Sequence, residues 1–348
     1  MRALYATKLG GDQPLDNIAI GERPTPEPKA GEVRVKMHVA TLNHHDLFTL
    51  RGVVGYPIEP PRILGCDGYG VVDAYGPDRP LGTPDVGAEV ILYPLRFCGH
   101  CAGCASGDPM LCRSFTLLSD ADLEGSFAEY VVLPAAHVVP KPASLDGAQS
   151  AALGVTFLTA YRMLFVKAAL RPGDSVLIQG AGGGVGTAAI QLAAAAGLRV
   201  IASSTSQAKL DLARSLGAHE VVLAGRDAAK AIVAKTGGDG VAAVMETVGE
   251  ATWGTSIRAV RLGGAIVVAG ATTGPNPPAN LSRVFWHQLR ILGSTMGSLP
   301  EYLSLIGFVE SAKIQPQIDS RYPLAQGKAA FERLASNEHT GKIALEIA

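Results

Sequence analysis

DSVLIQGAGGGVGTAAIQLAAAAGLRVIAS, residues 174–203, decides the fold of this chain. The apolar run at 174–179 reads as a buried strand, and RVIAS at 199–203 reads as a second one. Between them lie a glycine-rich turn at 180–186 and an alanine-rich helical pattern at 187–196. A glycine loop in this setting lets the backbone approach a pyrophosphate, and the helix N-terminus stabilises its charge. The literal G-x-G-x-x-G is not met. The frame that fits is Ala181, Gly183 and Gly186, with Gly184 and Val185 inside the same turn. A tight glycine turn with no ligand is the competing reading.

The same alternation continues outward. A helix is expected at 209–216, and strands at Glu220–Leu223, Val241–Glu246, 265–269 and Arg290–Gly293. This order predicts an α/β domain with a doubly wound parallel sheet. The N-terminal third differs. EVRVKMHV at 32–39 and GVVDA at 70–74 alternate or are β-branched, and PKAG, YGPD and PDVG mark turns. A strongly bent, barrel-like sheet is expected there. GKIALEI at 341–347 returns to a β pattern and is expected to rejoin the N-terminal domain.

Composition sets bounds. With 348 residues, two domains are expected, and 47% apolar against 18% charged residues allows each a core. The formal net charge of -1 and the lack of Lys/Arg runs exclude a nucleic-acid partner. The opening MRALYATKLGG has no apolar h-region, and the most apolar helical stretch, 188–196, is short and contains Gln191. No membrane partner and a cytoplasmic location are therefore expected.

The end of the second strand bears on the cofactor. A carboxylate there would bind the adenosine ribose hydroxyls; this chain has Ser203, Ser204, Thr205, Ser206, Gln207, Ala208 and Lys209 instead. Nothing here repels a 2′-phosphate, and Ser203, Ser204, Ser206 and Lys209 can hold one by hydrogen bonds and charge. NADP(H) is expected in preference to NAD(H). The alternative is that Lys209 is only a solvated helix residue.

Four of the five cysteines, Cys98, Cys101, Cys104 and Cys112, are spaced C-x2-C-x2-C-x7-C, with Gly99, Gly103 and Gly107 between them. Such a loop can wrap one zinc ion with four thiolates, which leaves no open position, so the site is expected to be structural, one per chain. Disulfides do not suit a cytosolic enzyme; an iron–sulfur cluster stays open on spacing alone.

These features together resemble the medium-chain dehydrogenase/reductase superfamily over nearly the whole chain. Further marks are GSFAEY (125–130), VTFLTAY (155–161), ETVG (246–249), ILGST (291–295) and TGKIAL (340–345). The resemblance implies a GroES-like β-rich catalytic domain, residues 1–156 and 296–348, with the zinc lobe at about 95–115. It implies a Rossmann dinucleotide-binding domain at 157–295, an active site in the cleft, and a homodimer or homotetramer. It places Thr159 and Thr295 near the nicotinamide, and Val248, Gly270 and Ala271 along the cofactor channel.

One departure matters. Zinc alcohol dehydrogenases of this superfamily bind a second, catalytic zinc through a C-H-x-D segment, a G-H-E-x-x-G segment and a further cysteine. Here those positions read Asn43-His44-His45-Asp46, Gly65-Cys66-Asp67 and Val155. Asn43 is a poor ligand and Val155 is none. LNHHDLFTLRG at 42–52 resembles instead the quinone-reductase and enoyl-reductase branch, in which Asn43 would touch the cofactor and His44 its phosphate or ribose. Reduction of a conjugated C=C needs hydrogen-bond donors for the developing enolate and a proton for the α-carbon. His45, at the alcohol dehydrogenases' proton-relay position, is the candidate donor, with a pocket-lining role as the alternative. Tyr56 and Trp286 are expected to shape the substrate pocket.

The expected function is reduction of a small quinone or α,β-unsaturated carbonyl by NADPH without a catalytic metal. The alternatives are an alcohol dehydrogenase whose atypical metal is held by Cys66, Asp67, His44 and His45, and a cofactor-binding protein without turnover.

Overall fold

The computed structural model describes residues 1–53 and 57–347; Tyr56 lies outside the described residues. The chain forms two compact units, one of Met1–Val155, Ser298–Glu310 and Gln315–Ala348, the other of Thr156–Gly297 with Ser311–Ile314.

In the second unit six strands form an all-parallel sheet. From edge to edge they are Glu220–Leu223, Arg199–Ser204, Ser175–Gln179, Val241–Glu246, Val260–Val268 and Arg290–Gly293. The first strand in sequence lies inside the sheet, with later strands added on either side, which is the doubly wound arrangement. Parallel strands covered on both faces are apolar at every position rather than at alternate ones. Val176, Leu177, Ile178, Val200, Ile201 and Ala202 are all buried. Helix Gly184–Ala195 packs with its small side chains, since Ala188, Ala189 and Ala193 are buried.

This helix begins three residues before the expected start. Glycine's poor helix propensity hides the first turn, but Thr187 anchors it by donating from N to Gly183 O at 2.9 Å and from Oγ1 at 3.1 Å. The fifth strand begins at Val260 rather than 265, because a register shift between Val241 and Ala243 extends the pairing into the glycine-containing stretch RLGG.

The first unit is built on Glu32–Thr41. This strand pairs antiparallel with Tyr69–Tyr75, while Tyr130–Pro134 meets its first half and Lys342–Glu346 its last residues. Register shifts after Arg34 and Met37 bend it. The C-terminal strand Lys342–Glu346 also pairs in parallel with Ile318–Pro323, so the end of the chain completes the sheet begun near its start. Leu4, Leu50, Leu64, Phe127, Phe331 and Leu345 form part of the core beside it. Among the described residues no helix is long and apolar enough to cross a membrane.

Candidate functional site

The cysteine loop runs between the short paired strands Leu95–Arg96 and Thr116–Leu117. Gly99 and Gly107 turn it at positive φ, 79° and 84°. The four sulfurs lie within 4.8 Å of one another, with Cys98–Cys104 at 4.0 Å and both Cys101–Cys104 and Cys98–Cys112 at 3.6 Å. A tetrahedral zinc with bonds of about 2.3 Å sets its thiolates roughly 3.8 Å apart, so the donor set fits that ion. Backbone N–H groups directed at sulfur lower the Cys98 thiol and bring Cys101 down to about 6, while burial and the neighbouring thiols push Cys104 up to about 12. The loop thus favours negative sulfur at two of its four corners. Among the described residues this is the one group of three or more His, Cys, Asp or Glu side chains placed to hold an ion.

A second polar cluster lies at the head of helix His44–Arg51. Asn43 caps the helix, its backbone N–H donating to Asp46 Oδ2 at 2.7 Å, and Asp46 Oδ1 accepts from Gly65 N at 3.1 Å. Burial pushes the Asp46 carboxyl up to about 6, against the pull of His45. Asn43 Nδ2 donates to Thr41 O at 3.1 Å and to Asp67 Oδ2 at 2.9 Å, with Cys66 Sγ at 3.5 Å. Its Oδ1 accepts from Lys342 Nζ, which also donates to Leu42 O at 2.7 Å and lies 3.5 Å from Asp67 Oδ2. Asp67 further accepts from Thr41 N at 2.7 Å and Thr41 Oγ1 at 2.6 Å. Lys342 and Asp67 are both buried, and each charge is satisfied by the other and by polar neighbours.

This geometry answers whether a catalytic zinc fits. The carboxylate at the family's ligand position is held by an ammonium and by Thr41, the amide of Asn43 is spent within the cluster, and Val155 offers only an aliphatic side chain. Burial beside Asp46 and Asp67 raises the Cys66 thiol well above its ordinary range, so without an ion the group is a neutral thiol. The residues do not fit a second zinc. The His44 ring lies 6.0 Å from that of His339 and 6.2 Å from that of Phe48. His45 turns its Nε2 to Asp120 Oδ1 at 3.0 Å.

The third group lines the C-terminal edge of the parallel sheet. Helix Gly184–Ala195 has Gly183 at its cap, with no side chain capping it. A Cβ on Gly186 would stand 2.3 Å from Gly180 O, so glycine is required where helix and turn meet. Ala181 N donates to Ser203 O at 3.0 Å, and a Cβ on Gly182 would strike the Lys209 stem at 2.3 Å, which places Lys209 against the loop. Ser203 Oγ is buried without a partner among the described residues, and Ser204 Oγ accepts from Ser206 N at 3.3 Å. Val248 approaches Gly180, Gly270 lies against Thr247 and Ala271 against Gly249. Thr159 Oγ1 reaches Met296 Sδ at 3.8 Å, next to Thr295. Ala181, Ser203, Ser204, Val248, Gly270 and Thr295 lie at or just beyond the C-terminal ends of their strands, where open α/β sheets bind ligands, while Thr159 and Lys209 sit on helices. A loop whose backbone a Cβ would obstruct, followed by an uncapped helix, fits a dinucleotide phosphate.

Trp286 ends helix Leu281–Trp286 and is 74% exposed, its ring 5.3 Å from Phe285, so within its own unit it does not line a closed pocket. Thr41, Lys342 and Asp120 were not singled out in the sequence. Lys342 left a readable sign, a lysine in the otherwise apolar strand KIAL, since a buried lysine demands a carboxylate. Asp120 left none, because SDAD at 119–122 reads as a solvated turn.

Two family matches cover the two kinds of domain: an alcohol dehydrogenase GroES-like domain at residues 29–143 and a zinc-binding dehydrogenase domain at residues 184–311. A zinc-type alcohol dehydrogenase-like protein of Schizosaccharomyces pombe is 31% identical over 91% of this chain and 91% of its own length. The crotonyl-CoA carboxylase/reductase of Cereibacter sphaeroides is 30% identical over 90% of this chain and 80% of its own. The crystal structure of an NAD-dependent alcohol dehydrogenase superposes with a TM-score of 0.94 at 38% identity, covering all of both chains. The chain belongs to the zinc-type alcohol dehydrogenase-like medium-chain dehydrogenase/reductase superfamily and is an NAD(P)-dependent oxidoreductase.

Proposed function

We propose that this protein reduces a small quinone or α,β-unsaturated carbonyl compound with NADPH, without a catalytic metal, and carries one structural zinc at Cys98, Cys101, Cys104 and Cys112. The observation that carries this reading is the state of the family's catalytic ligand positions. They hold the amide of Asn43, the Cys66–Asp67 pair with its carboxylate locked by Lys342, and the aliphatic Val155. A carbonyl conjugated to a C=C bond polarises its own β-carbon, so such a substrate does not require a Lewis acid. The likeness to a crotonyl-CoA carboxylase/reductase supports chemistry on a conjugated C=C bond.

When bound, the nicotinamide supplies a hydride to the β-carbon. The π pair moves toward the carbonyl oxygen, and the α-carbon then takes a proton. His45 is the donor, its ring 22% exposed and held at one nitrogen by Asp120. The neutral ring regains its proton from water. Asn43 positions the His45 helix through its cap and its bonds to Thr41, Asp67 and Lys342. The preference for NADPH rests on Ser203, Ser204, Ser206 and Lys209 in place of a carboxylate.

The test combines zinc quantification with steady-state rates on enones, quinones, aldehydes and alcohols, each with both cofactors. One zinc per chain, NADPH-dependent loss of an enone or quinone, and kcat/KM at least tenfold lower with NADH are expected. Two zinc ions per chain with alcohol oxidation would sink the reading in favour of an atypical alcohol dehydrogenase. Binding of NADPH without turnover on any substrate would mark a non-catalytic protein.

A further inference from the structure

We propose that Asp120 is a positioning residue that turns the His45 ring so that Nδ1, not Nε2, carries the proton delivered to the substrate. This rests on the reductase reading given above. His45 Nε2 lies 3.0 Å from Asp120 Oδ1, and the side chains of His45 and Asp120 are 22% and 1% exposed. An ionised carboxylate only accepts, so Nε2 keeps its hydrogen whether the ring is charged or neutral. Nδ1 has no partner among the described residues, which leaves it as the exchanging atom.

The loop is built to hold this carboxylate in place. Ser119 and Ala121, on either side of Asp120, both adopt left-handed φ, 72° and 51°, which non-glycine residues rarely do. The backbone of Asp120 is fixed by Asp120 N to Leu117 O at 3.0 Å and Leu123 N to Asp120 O at 2.9 Å. Arg62 Nη2 pins the next residue, donating to Ala121 O at 2.7 Å. The charged groups acting on the ring are Asp120 from this loop and Asp46 from its own helix; Lys342 and Asp67 engage Asn43 and each other. Burial lowers the affinity of the ring for a proton, but the hydrogen bond and charge of Asp120, with the charge of Asp46, outweigh it and leave the pKa raised.

In the step itself, the imidazolium N–H bond at Nδ1 breaks and its electron pair stays on the ring. The proton forms a C–H bond at the α-carbon using the enolate pair. Nε2–H···Asp120 persists throughout.

The test is 15N-detected titration of the histidine rings in the full-length, zinc-loaded protein and in Asp120→Asn and Asp120→Ala, together with pH profiles of kcat. In the unaltered protein the neutral His45 ring should carry its hydrogen on Nε2. Asp120→Asn should lower the His45 pKa by about 1 unit, the size expected for losing an adjacent opposite charge. The high-pH limb of kcat should move down by a matching amount, with KM changed less than twofold. A neutral ring protonated on Nδ1 in the unaltered protein, or a His45 pKa indifferent to both variants, would overturn the proposal. So would a kcat limb that stays in place while the ring pKa moves. A purely structural Asp120 would lower thermal stability and leave tautomer and limb alone. The ring titration needs no turnover, so failure of the reductase reading shows separately, as absence of activity in a protein whose His45 still pairs through Nε2.

Discussion

A single imidazole in the first unit shows how burial sets a charge state. His137 packs edge-on against Tyr93 at 5.1 Å and beside Phe97 at 5.8 Å, and burial pulls its pKa down to about 4. The unfolded ring takes its proton near 6.5, so between these two values the unfolded state binds more protons and stability rises with pH. The contribution is complete above about pH 6.5 and is lost as pH falls toward 4, a total of about 3 kcal/mol. Urea unfolding midpoints of the parent and of His137→Gln, compared at pH 7.5 and 4.5, check this. The parent should lose more stability across the interval, and equal losses would remove His137 as the cause. The Lys342–Asp67 pair follows the opposite logic, two buried charges kept because each satisfies the other.

Among the described elements, the cysteine loop is the one whose integrity would rest on the proposed zinc. It joins two strands of two residues each, and its short helix Ala102–Ala105 buries none of its residues. Zinc binding free energy is therefore folding free energy for this stretch. Chelation, or Cys104→Ser, should abolish the bound zinc and make the loop at 98–112 an early site of proteolysis. A loss of about 3 kcal/mol would lower the melting temperature by roughly 5–10 °C. NADPH binding, for which we propose the glycine loop of the other unit, should change less than twofold. Full zinc content in Cys104→Ser would contradict the assignment.

The same scale shows what can be read from sequence. Ser175–Gln179, Arg199–Ser204 and Val241–Glu246 announce themselves because strands buried on both faces are apolar throughout. The cysteine ligands are legible because all four lie within fifteen residues. Ile318–Pro323 is not legible, since IDSRYP is polar and only partly buried. Nor are the π-helical turns Leu153–Phe157 and Arg162–Lys167, whose apolar pattern matches an ordinary helix. The polar cluster escapes for another reason: Lys342 meets Asp67 across 275 residues, and no local pattern encodes that pairing.

At the scale of the molecule, assembly has a physical handle. Strand Arg290–Gly293 is an edge strand paired on one side only, and Ile291 on it is 44% exposed. Leu281, Phe285 and Trp286 on the preceding helix are 68%, 61% and 74% exposed. An uncovered edge beside exposed apolar side chains is what isolated chains avoid. We propose that a second copy covers it, giving the expected homodimer or homotetramer. Light scattering should return a multiple of the chain mass, and Ile291→Lys with Trp286→Glu should shift it toward the monomer. A monomeric parent at micromolar concentration would refute this.

The return of the C-terminal strand to the first sheet has a consequence for how the protein is made. On the ribosome, residues 156–297 emerge as a nearly self-contained sheet and can fold while the tail is still being synthesised. The segment that precedes them cannot finish. Until Lys342 leaves the exit tunnel, Asp67 lacks its counter-charge, Asn43 lacks one of its partners, and Glu32–Thr41 lacks one neighbour along its last residues. The unit begun first is thus completed last, and until then its sheet keeps an unpaired strand edge.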